Sequence, residues 1–233
     1  SSTGHLMLSS KLIGLPQTEF LKSFEIMIQS GAILAVIVFY QKSILKNWEV
    51  WKRVLAAFIP TAILGLVFYK IVKKLLLGNT EVVLWALFIG GAVLILFDRL
   101  HKGKPDIEDN VCHISYKTAV FIGCVQSLAL IPGVSRSAAT IVGGRILGVG
   151  RKEIVEFSFF LAIPTMFAAV ALDCVKNPEV FSLSQAPVLI TGFITSFIVA
   201  LLSIKFFLHY IQHHGFLIFG VYRMLVALLF WFV

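Results

Sequence analysis

Charged residues are scarce in this sequence: Asp, Glu, Lys and Arg together make up 14% of its 233 residues. Soluble domains usually carry roughly 25% charged residues, so this chain has too few charges to cover the surface of a water-soluble globule. Hydrophobic residues instead account for 58% of the chain. We therefore expect an integral membrane protein whose surface is solvated mostly by lipid.

Cysteine is scarce as well. The three cysteines, Cys112, Cys124 and Cys174, form no Cys-x-x-Cys pair, and an odd number cannot make a closed set of disulfides. We therefore assign them no chemistry. The sequence also lacks an initiator methionine and a signal peptide, so we expect a segment that preceded Ser1 to be missing.

The formal net charge of +8 raises the question of nucleic-acid binding. The basic residues, however, occur in short clusters between apolar runs, as at Lys42, Lys46 and Lys52. Clusters of this kind flank membrane spans, and the sequence presents no basic face. Nucleic acid is therefore excluded as a partner, and membrane lipid is expected.

A helix needs about 20 apolar residues to cross the hydrocarbon core of a bilayer. Six stretches reach or approach this length, and we predict that each is a transmembrane helix. They are roughly 24–40, 54–72, 82–98, 153–173, 186–208 and 216–233.

A seventh apolar region, 118–147, does not have the pattern of a simple span. Its apolar run breaks at Pro132 and Gly133, passes through Ser135-Arg136-Ser137, and resumes as a predicted helix from Ala138. Two short apolar arms around a polar break are typical of a re-entrant hairpin. Irregular backbone of this kind survives at membrane depth only inside protein or beside a wet cavity.

The N-terminal region shows half of the same pattern, because the polar segment 1–5 leads into a short apolar helix and then three spans. The sequence therefore predicts an all-α polytopic fold with six transmembrane helices and two re-entrant hairpins, the first of them incomplete. The predicted repeats are residues 1–100 and 117–233. An odd number of crossings inverts the second copy, so the two hairpin tips should meet near the midplane.

Basic residues also predict the orientation. Twelve lysines and arginines lie in the connections 41–53, 99–117, 145–152 and near 205, whereas six lie in the other connections. By the positive-inside rule the first set is cytoplasmic. The first hairpin then opens to the outer side and the second to the inner side.

Arg136 lies between two serines in the middle of an apolar region. A charge at this depth should have an anionic partner or a wet cavity. Gly133 permits a tight turn, the following helix directs N–H groups at the loop, and the hydroxyls of Ser135 and Ser137 add donors. The loop is thus a candidate phosphate site, the alternative being a structural ion pair or an arginine that reaches the interface.

The segment Ser1-Ser2-Thr3-Gly4-His5 supplies a complementary group of side chains. Hydroxyls serve as nucleophiles or phosphate donors, and histidine moves protons near neutral pH. The alternative is that these residues only cap a helix. The predicted repeat places this segment opposite Arg136 and favours the chemical interpretation.

Three further polar residues lie in apolar stretches. Glu25 and Gln29 share one face of the first span, and Gln126 precedes the Pro-Gly break. Each of these three residues either supports a functional site or has only a structural role. For Arg223 and Tyr222 in the last span, the sequence favours a structural role. The remaining histidines are interpreted as interfacial: His101, His113, His209, His213 and His214.

Three motifs in this order, SSTGHL at 1–6, FEIMIQSGAIL at 24–34 and PGVSRSAAT at 132–140, resemble the undecaprenyl-diphosphate phosphatases of the bacitracin-resistance type. The resemblance covers essentially the whole chain. It implies hydrolysis of undecaprenyl diphosphate to the monophosphate and inorganic phosphate, which recycles the lipid carrier of bacterial cell-wall synthesis. It also implies a site that faces the outer side of the cytoplasmic membrane, and we allow for a homodimer.

By the same resemblance, Ser2 and His5 map to catalytic positions and Arg136 to the phosphate-binding arginine. Ser1, Thr3 and Gly133 belong to the same phosphate-binding segments. The family carries two glutamates just upstream of its first motif, which are linked to a divalent cation, Mg²⁺ or Ca²⁺. This chain lacks that segment, so its metal ligands are unknown and we expect it to be impaired in activity.

Two rival functions remain. Another family of membrane lipid phosphatases has a histidine six residues after a Ser-Arg pair, but Val142 occupies that position here. A transporter or lipid flippase shares inverted repeats with broken helices. The Ser/His segment opposite Arg136 favours chemistry over transport.

Overall fold

The computed structural model describes residues 1–46, 48–76, 79–101, 111, 114–178 and 184–232. Ten α-helices make up most of this part of the chain. A short π-helical turn, Val72–Leu76, continues α4, and a 3₁₀ turn, Ser127–Leu130, follows α6. The helices are α1 Ser2–Leu12, α2 Glu19–Met27, α3 Gln29–Lys46, α4 Trp48–Ile71, α5 Thr80–Leu100, α6 Tyr116–Gln126, α7 Arg136–Ile146, α8 Arg151–Lys176, α9 Ala186–His213 and α10 Leu217–Trp231.

Five helical segments are long and apolar enough to cross a membrane, with mean hydropathy between 1.7 and 2.2. They are Glu19–Ser43, Trp48–Ile71, Thr80–Leu100, Arg151–Lys176 and Ala186–Leu208. Each overlaps one of the first five predicted spans. The sixth predicted span, 216–233, coincides with α10, which has 15 residues. That is shorter than the usual length of a crossing helix, so its crossing stays a prediction.

Large apolar side chains cover the outside of these helices. Leu66 on α4 and Leu202 on α9 are 64% and 72% exposed, although a soluble protein would bury side chains of this size. Continuous apolar surface on long helices is solvated well by hydrocarbon and poorly by water. The structure therefore confirms an all-helical polytopic membrane protein.

The short helices α1 and α7 have the same local structure. Both contain 11 residues, and each is followed closely by a glycine with positive φ, 73° at Gly14 and 84° at Gly148. Side chains rarely adopt this left-handed conformation, which makes glycine the usual residue after a helix end. The two segments align without a gap from Ser1 with Ser135 to Glu19 with Glu153.

Helices pack closely where glycine replaces a side chain. On α5 and α10, a Cβ added to Gly220 would lie 2.7 Å from the carbonyl oxygen of Gly91. On α6, a Cβ added to Gly123 would collide with the backbone carbonyl of Ala57 on α4. Small residues let the helix backbones approach closely. Such packing contacts stabilise helix association in lipid, where the hydrophobic effect does not drive it.

We predict that Gly123→Ala lowers the thermal unfolding temperature, because the added methyl separates α6 from α4. Overpacking of this kind costs about 1–3 kcal/mol, which exceeds the gain of up to about 1 kcal/mol in helix propensity. The matched control is Gly65→Ala on α4, whose added Cβ would meet its nearest neighbour, Leu130, at an ordinary 3.7 Å. Unfolding curves in detergent that coincide for both variants would contradict the close packing.

Candidate active site

One large cavity, about 1260 Å³, opens between the starts of α1 and α7 and the flanks of α2, α3, α4, α8 and α9. Most of the residues singled out in the sequence line it. These are Ser1, Ser2, Thr3, His5, Gln29, Gln126, Gly133, Arg136 and Ser137. Segments far apart in the chain therefore meet at one site.

The sequence predicted a polar loop at 1–5, but α1 already begins at Ser2. The start of α1 and the loop before α7 approach each other through glycines. A Cβ added to Gly4 would lie 3.1 Å from the Cα of Gly133. Gly133 has a φ of 94°, and a Cβ there would come within 2.7 Å of the carbonyl oxygen of Val83. Both the backbone conformation and the close contacts therefore require glycine at position 133.

The helix that follows the loop begins two residues earlier than the sequence predicted, at Arg136 and not at Ala138. The reason is that Ser135 is the N-cap: its Oγ accepts a hydrogen bond from the backbone N–H of Ala138 at 3.2 Å. Ser135 lies 3.1 Å from Ser137 Oγ to Oγ, but only Ser137 lines the cavity. Phosphate binding by Ser135 stays a prediction, whereas its capping contact is observed.

Arg136 occupies the first position of α7 and faces the cavity. Its Nη1 donates to the carbonyl oxygen of Ser158 at 2.9 Å, which anchors the guanidinium to α8. Within the described part of the chain Arg136 forms no ion pair, and no carboxylate lines the cavity. A guanidinium has five N–H donors, so Arg136 has donors left for an anion.

His5 presents a free ring nitrogen. Its Nδ1 lies 2.8 Å from the carbonyl oxygen of Ser1; since a carbonyl only accepts, Nδ1 carries the hydrogen. The other nitrogen, Nε2, is buried and has no hydrogen-bond partner among the described residues. Burial lowers the pKa of His5, which favours the neutral imidazole. Nε2 is therefore a proton acceptor.

Gln29 holds the hydroxyls at the start of α1. Its Oε1 accepts from Ser2 Oγ at 2.8 Å, and its Nε2 donates to Thr3 Oγ1 at 3.3 Å. Nε2 also donates to the carbonyl oxygen of Glu25 at 2.8 Å, which fixes the amide. Gln29 therefore lies at the cavity wall and holds both hydroxyls, and its supporting role in the reaction stays a prediction.

The side chain of Glu25 turns away from the cavity. It is 3% exposed, and its Oε1 accepts a hydrogen bond from Ser10 Oγ at 3.1 Å. Ser10 belongs to α1, so this contact ties α1 to α2. The carboxylate is not among the residues that line the cavity.

Two neighbouring residues of α10 contact the loop before α7 and the start of α1. Arg223 donates from Nη2 to the carbonyl oxygens of Gly133 at 3.1 Å and Ala86 at 3.0 Å. The ring of Tyr222 stacks on His5 with centroids 5.6 Å apart and an interplanar angle of 7°. The sequence favoured structural roles for both residues, but it did not indicate that they position the site. The available signal was a charge inside an apolar span, which should contact a polar group.

The remaining cavity wall is largely apolar. Side chains from α2, α3, α8 and α9 form this surface, among them Phe24, Ile28, Ala32, Met166, Val188 and Val199. The cavity therefore combines one cationic group and several hydroxyls with an extended apolar wall. This combination suits an anion that is attached to a hydrocarbon chain.

These features describe a polytopic membrane protein whose cavity suits an anionic lipid head group. The family model described as Bacitracin resistance protein BacA matches residues 1–229, and the chain belongs to this family. Curated relatives named undecaprenyl-diphosphatase include those of Aquifex aeolicus, 48% identical over 230 residues, and Persephonella marina, 47% identical over 230 residues. Each alignment covers 99% of this chain and 90% of the relative.

Proposed function

We propose that this protein hydrolyses undecaprenyl diphosphate to undecaprenyl phosphate and inorganic phosphate, and so recycles the lipid carrier and confers bacitracin resistance. The observation that carries the proposal is that Arg136 and His5 line one apolar-walled cavity. Among the described residues, Arg136 has no carboxylate partner and Nε2 of His5 has no hydrogen-bond partner. The names of the relatives agree with this chemistry.

In the proposed reaction, an oxygen nucleophile attacks the terminal phosphorus and the bridging P–O bond breaks. Arg136 and the N–H groups at the start of α7 stabilise the charge on the transferring phosphoryl group. His5 Nε2 accepts a proton from the nucleophile. Water is favoured over Ser2 as the nucleophile, because the hydroxyl of Ser2 donates to Gln29 and not to a base.

The divalent cation stays a prediction. Mg²⁺ and Ca²⁺ need several oxygen ligands, commonly carboxylates. The described residues contain no group of three or more His, Cys, Asp or Glu side chains that could hold a metal, and Glu25 is bound to Ser10 outside the cavity. These residues alone do not fit a metal site, so no step is derived through one.

The test is phosphate release by the purified full-length protein in detergent, with undecaprenyl diphosphate as substrate. We expect one inorganic phosphate per lipid monophosphate formed. A transporter or flippase would instead move a labelled lipid phosphate across a vesicle membrane without cleaving it. Transport without phosphate release would contradict the proposed function.

We also propose the inverted-topology arrangement, with repeats at 1–100 and 117–233, hairpins from opposite faces, and α10 as the sixth span. Its support is the equal length and shared ending of α1 and α7 and the glycine-mediated packing of α5 on α10. In this arrangement the protein lies in the bacterial cytoplasmic membrane with its site open to the outer side.

Accessibility labelling tests the arrangement. In a variant without the native cysteines, Lys176→Cys should react with an impermeant thiol reagent from outside the cell, because it is the last residue of α8, at the proposed outer end. Lys42→Cys should react only after the membrane is opened. Both positions are exposed, so burial does not limit either reaction. Equal labelling from outside would contradict the proposed topology.

A further inference from the structure

Gln126 is held by two hydroxyls whose hydrogens are already used. Thr61 Oγ1 on α4 donates to the carbonyl oxygen of Gly123 at 2.8 Å. Thr165 Oγ1 on α8 donates to the carbonyl oxygen of Leu161 at 2.7 Å. A hydroxyl has one hydrogen, so each of these oxygens can only accept a further hydrogen bond.

This arrangement fixes the orientation of the Gln126 amide. Its Nε2 lies 2.9 Å from Thr61 Oγ1 and 3.2 Å from Thr165 Oγ1, so both amide hydrogens are donated. A flipped amide would place Oε1 against two oxygens that have no hydrogen to offer. The hydrogen-bond network therefore distinguishes the amide oxygen from the amide nitrogen.

The oxygen of the same amide has no partner in the part of the chain that the structure describes. Gln126 is 1% exposed and lines the cavity, and its Oε1 is buried without a donor among the described residues. Buried polar atoms in proteins nearly always have a partner, which is often an ordered water or a ligand. An unpaired acceptor on a residue that lines the cavity therefore indicates that a donor binds beside it.

The chemistry of the cavity limits what that donor is. The other polar side chains in its wall include the donors Arg136 and Ser137, which suit the oxygens of an ionised phosphate. Those phosphate oxygens only accept, so they would be repelled by Oε1. A water molecule can donate one hydrogen to Oε1 and direct a lone pair elsewhere.

We infer that Gln126 is a positioning residue whose Oε1 holds the water that attacks the terminal phosphorus. This inference rests on the proposed function. The water oxygen forms the new P–O bond, the bridging P–O bond breaks, and one water proton passes to His5 Nε2. Gln126 itself gains and loses no proton.

The test uses two substitutions at this position. Gln126→Met keeps the approximate shape and removes the acceptor, and Gln126→Glu keeps an oxygen acceptor. With undecaprenyl diphosphate, we expect Gln126→Met to lower kcat at least tenfold with KM within twofold of the native value. Gln126→Glu should retain more activity than Gln126→Met. Thr165→Val, which removes one of the two contacts that orient the amide, should lower kcat to a smaller extent.

The control is Thr118→Val at the other end of α6, which removes a hydroxyl contact to Ser115 and should leave kcat unchanged. All assays are run well below each variant's unfolding temperature, so a purely structural role would leave kcat near native. Three results would overturn the inference. These are a native kcat for Gln126→Met, an effect of Gln126→Met that is confined to KM, or equal kcat values for Gln126→Met and Gln126→Glu. If the native protein releases no phosphate, the proposed function fails instead.

Discussion

Replacing Arg136 by lysine should lower kcat/KM for undecaprenyl diphosphate at least tenfold, which corresponds to about 1.4 kcal/mol of transition-state stabilisation. Lysine keeps the positive charge but lacks the planar fork that binds two phosphate oxygens in parallel. Its three N–H donors also share one nitrogen, so they cannot reproduce the separate bonds that Nη1 makes to the carbonyl oxygen of Ser158 and that the other guanidinium nitrogens can make to an anion. The measurement is steady-state phosphate release at neutral pH.

The matched control is Arg145→Lys at the opposite end of the same helix. Arg145 is buried, with 9% of its surface exposed, and its Nη1 donates to the carbonyl oxygen of Val149 at 3.2 Å. It does not line the cavity, so we expect kcat/KM within about threefold of the native value, because the substitution leaves the groups around the cavity in place. Near-native turnover in Arg136→Lys would show that charge alone suffices and that the fork is not used.

His5→Gln should lower kcat about a hundredfold, since general acid–base catalysis contributes roughly 10²–10⁴-fold. Glutamine retains a hydrogen-bonding side chain on α1, but its amide does not take up a proton near neutral pH. The loss should appear in kcat more than in KM, because proton transfer occurs in the transition state. Phosphate release under saturating substrate measures it.

His101→Gln is a close control for that experiment. His101 makes the same local contact as His5, with Nδ1 3.0 Å from the carbonyl oxygen four residues earlier, and its ring stacks on Phe97 with centroids 4.2 Å apart. It lies at the end of α5 and does not line the cavity. If both substitutions reduced kcat equally, the loss would reflect a general effect on helix ends and not proton transfer by His5.

The sequence predicted the spans well because hydropathy depends only on local composition. Five apolar stretches correspond to five long helices, and the break at Pro132 and Gly133 is present. Details that depend on single hydrogen bonds were less predictable. The first span begins earlier than expected and is interrupted at Ile28, between α2 and α3. The start of α7 shifted to Arg136 because the capping hydroxyl of Ser135 determines it.

The sequence predicted which residues line the cavity but not which contacts they make. Polar residues in apolar stretches marked Arg136, Gln29 and Gln126, and the polar segment at 1–5 marked His5. All four line the cavity. Sequence could not show that Glu25 is bound to Ser10, since that contact depends on how α1 lies against α2. It also gave no indication of the threonines around Gln126, because a threonine in an apolar helix usually bonds its own backbone.

The contacts from α10 have a consequence for the synthesis of the protein. Chains leave the ribosome from the N-terminus, and α10 follows every other described helix. The loop at Gly133 and the ring of His5 therefore enter the membrane before Arg223 and Tyr222 can hold them. A nascent chain arrested before residue 217 would already contain both groups, yet its site would lack the helix that fixes their positions. Catalytic competence would thus arise only late in translation, and an incomplete chain would not act on the lipid pool.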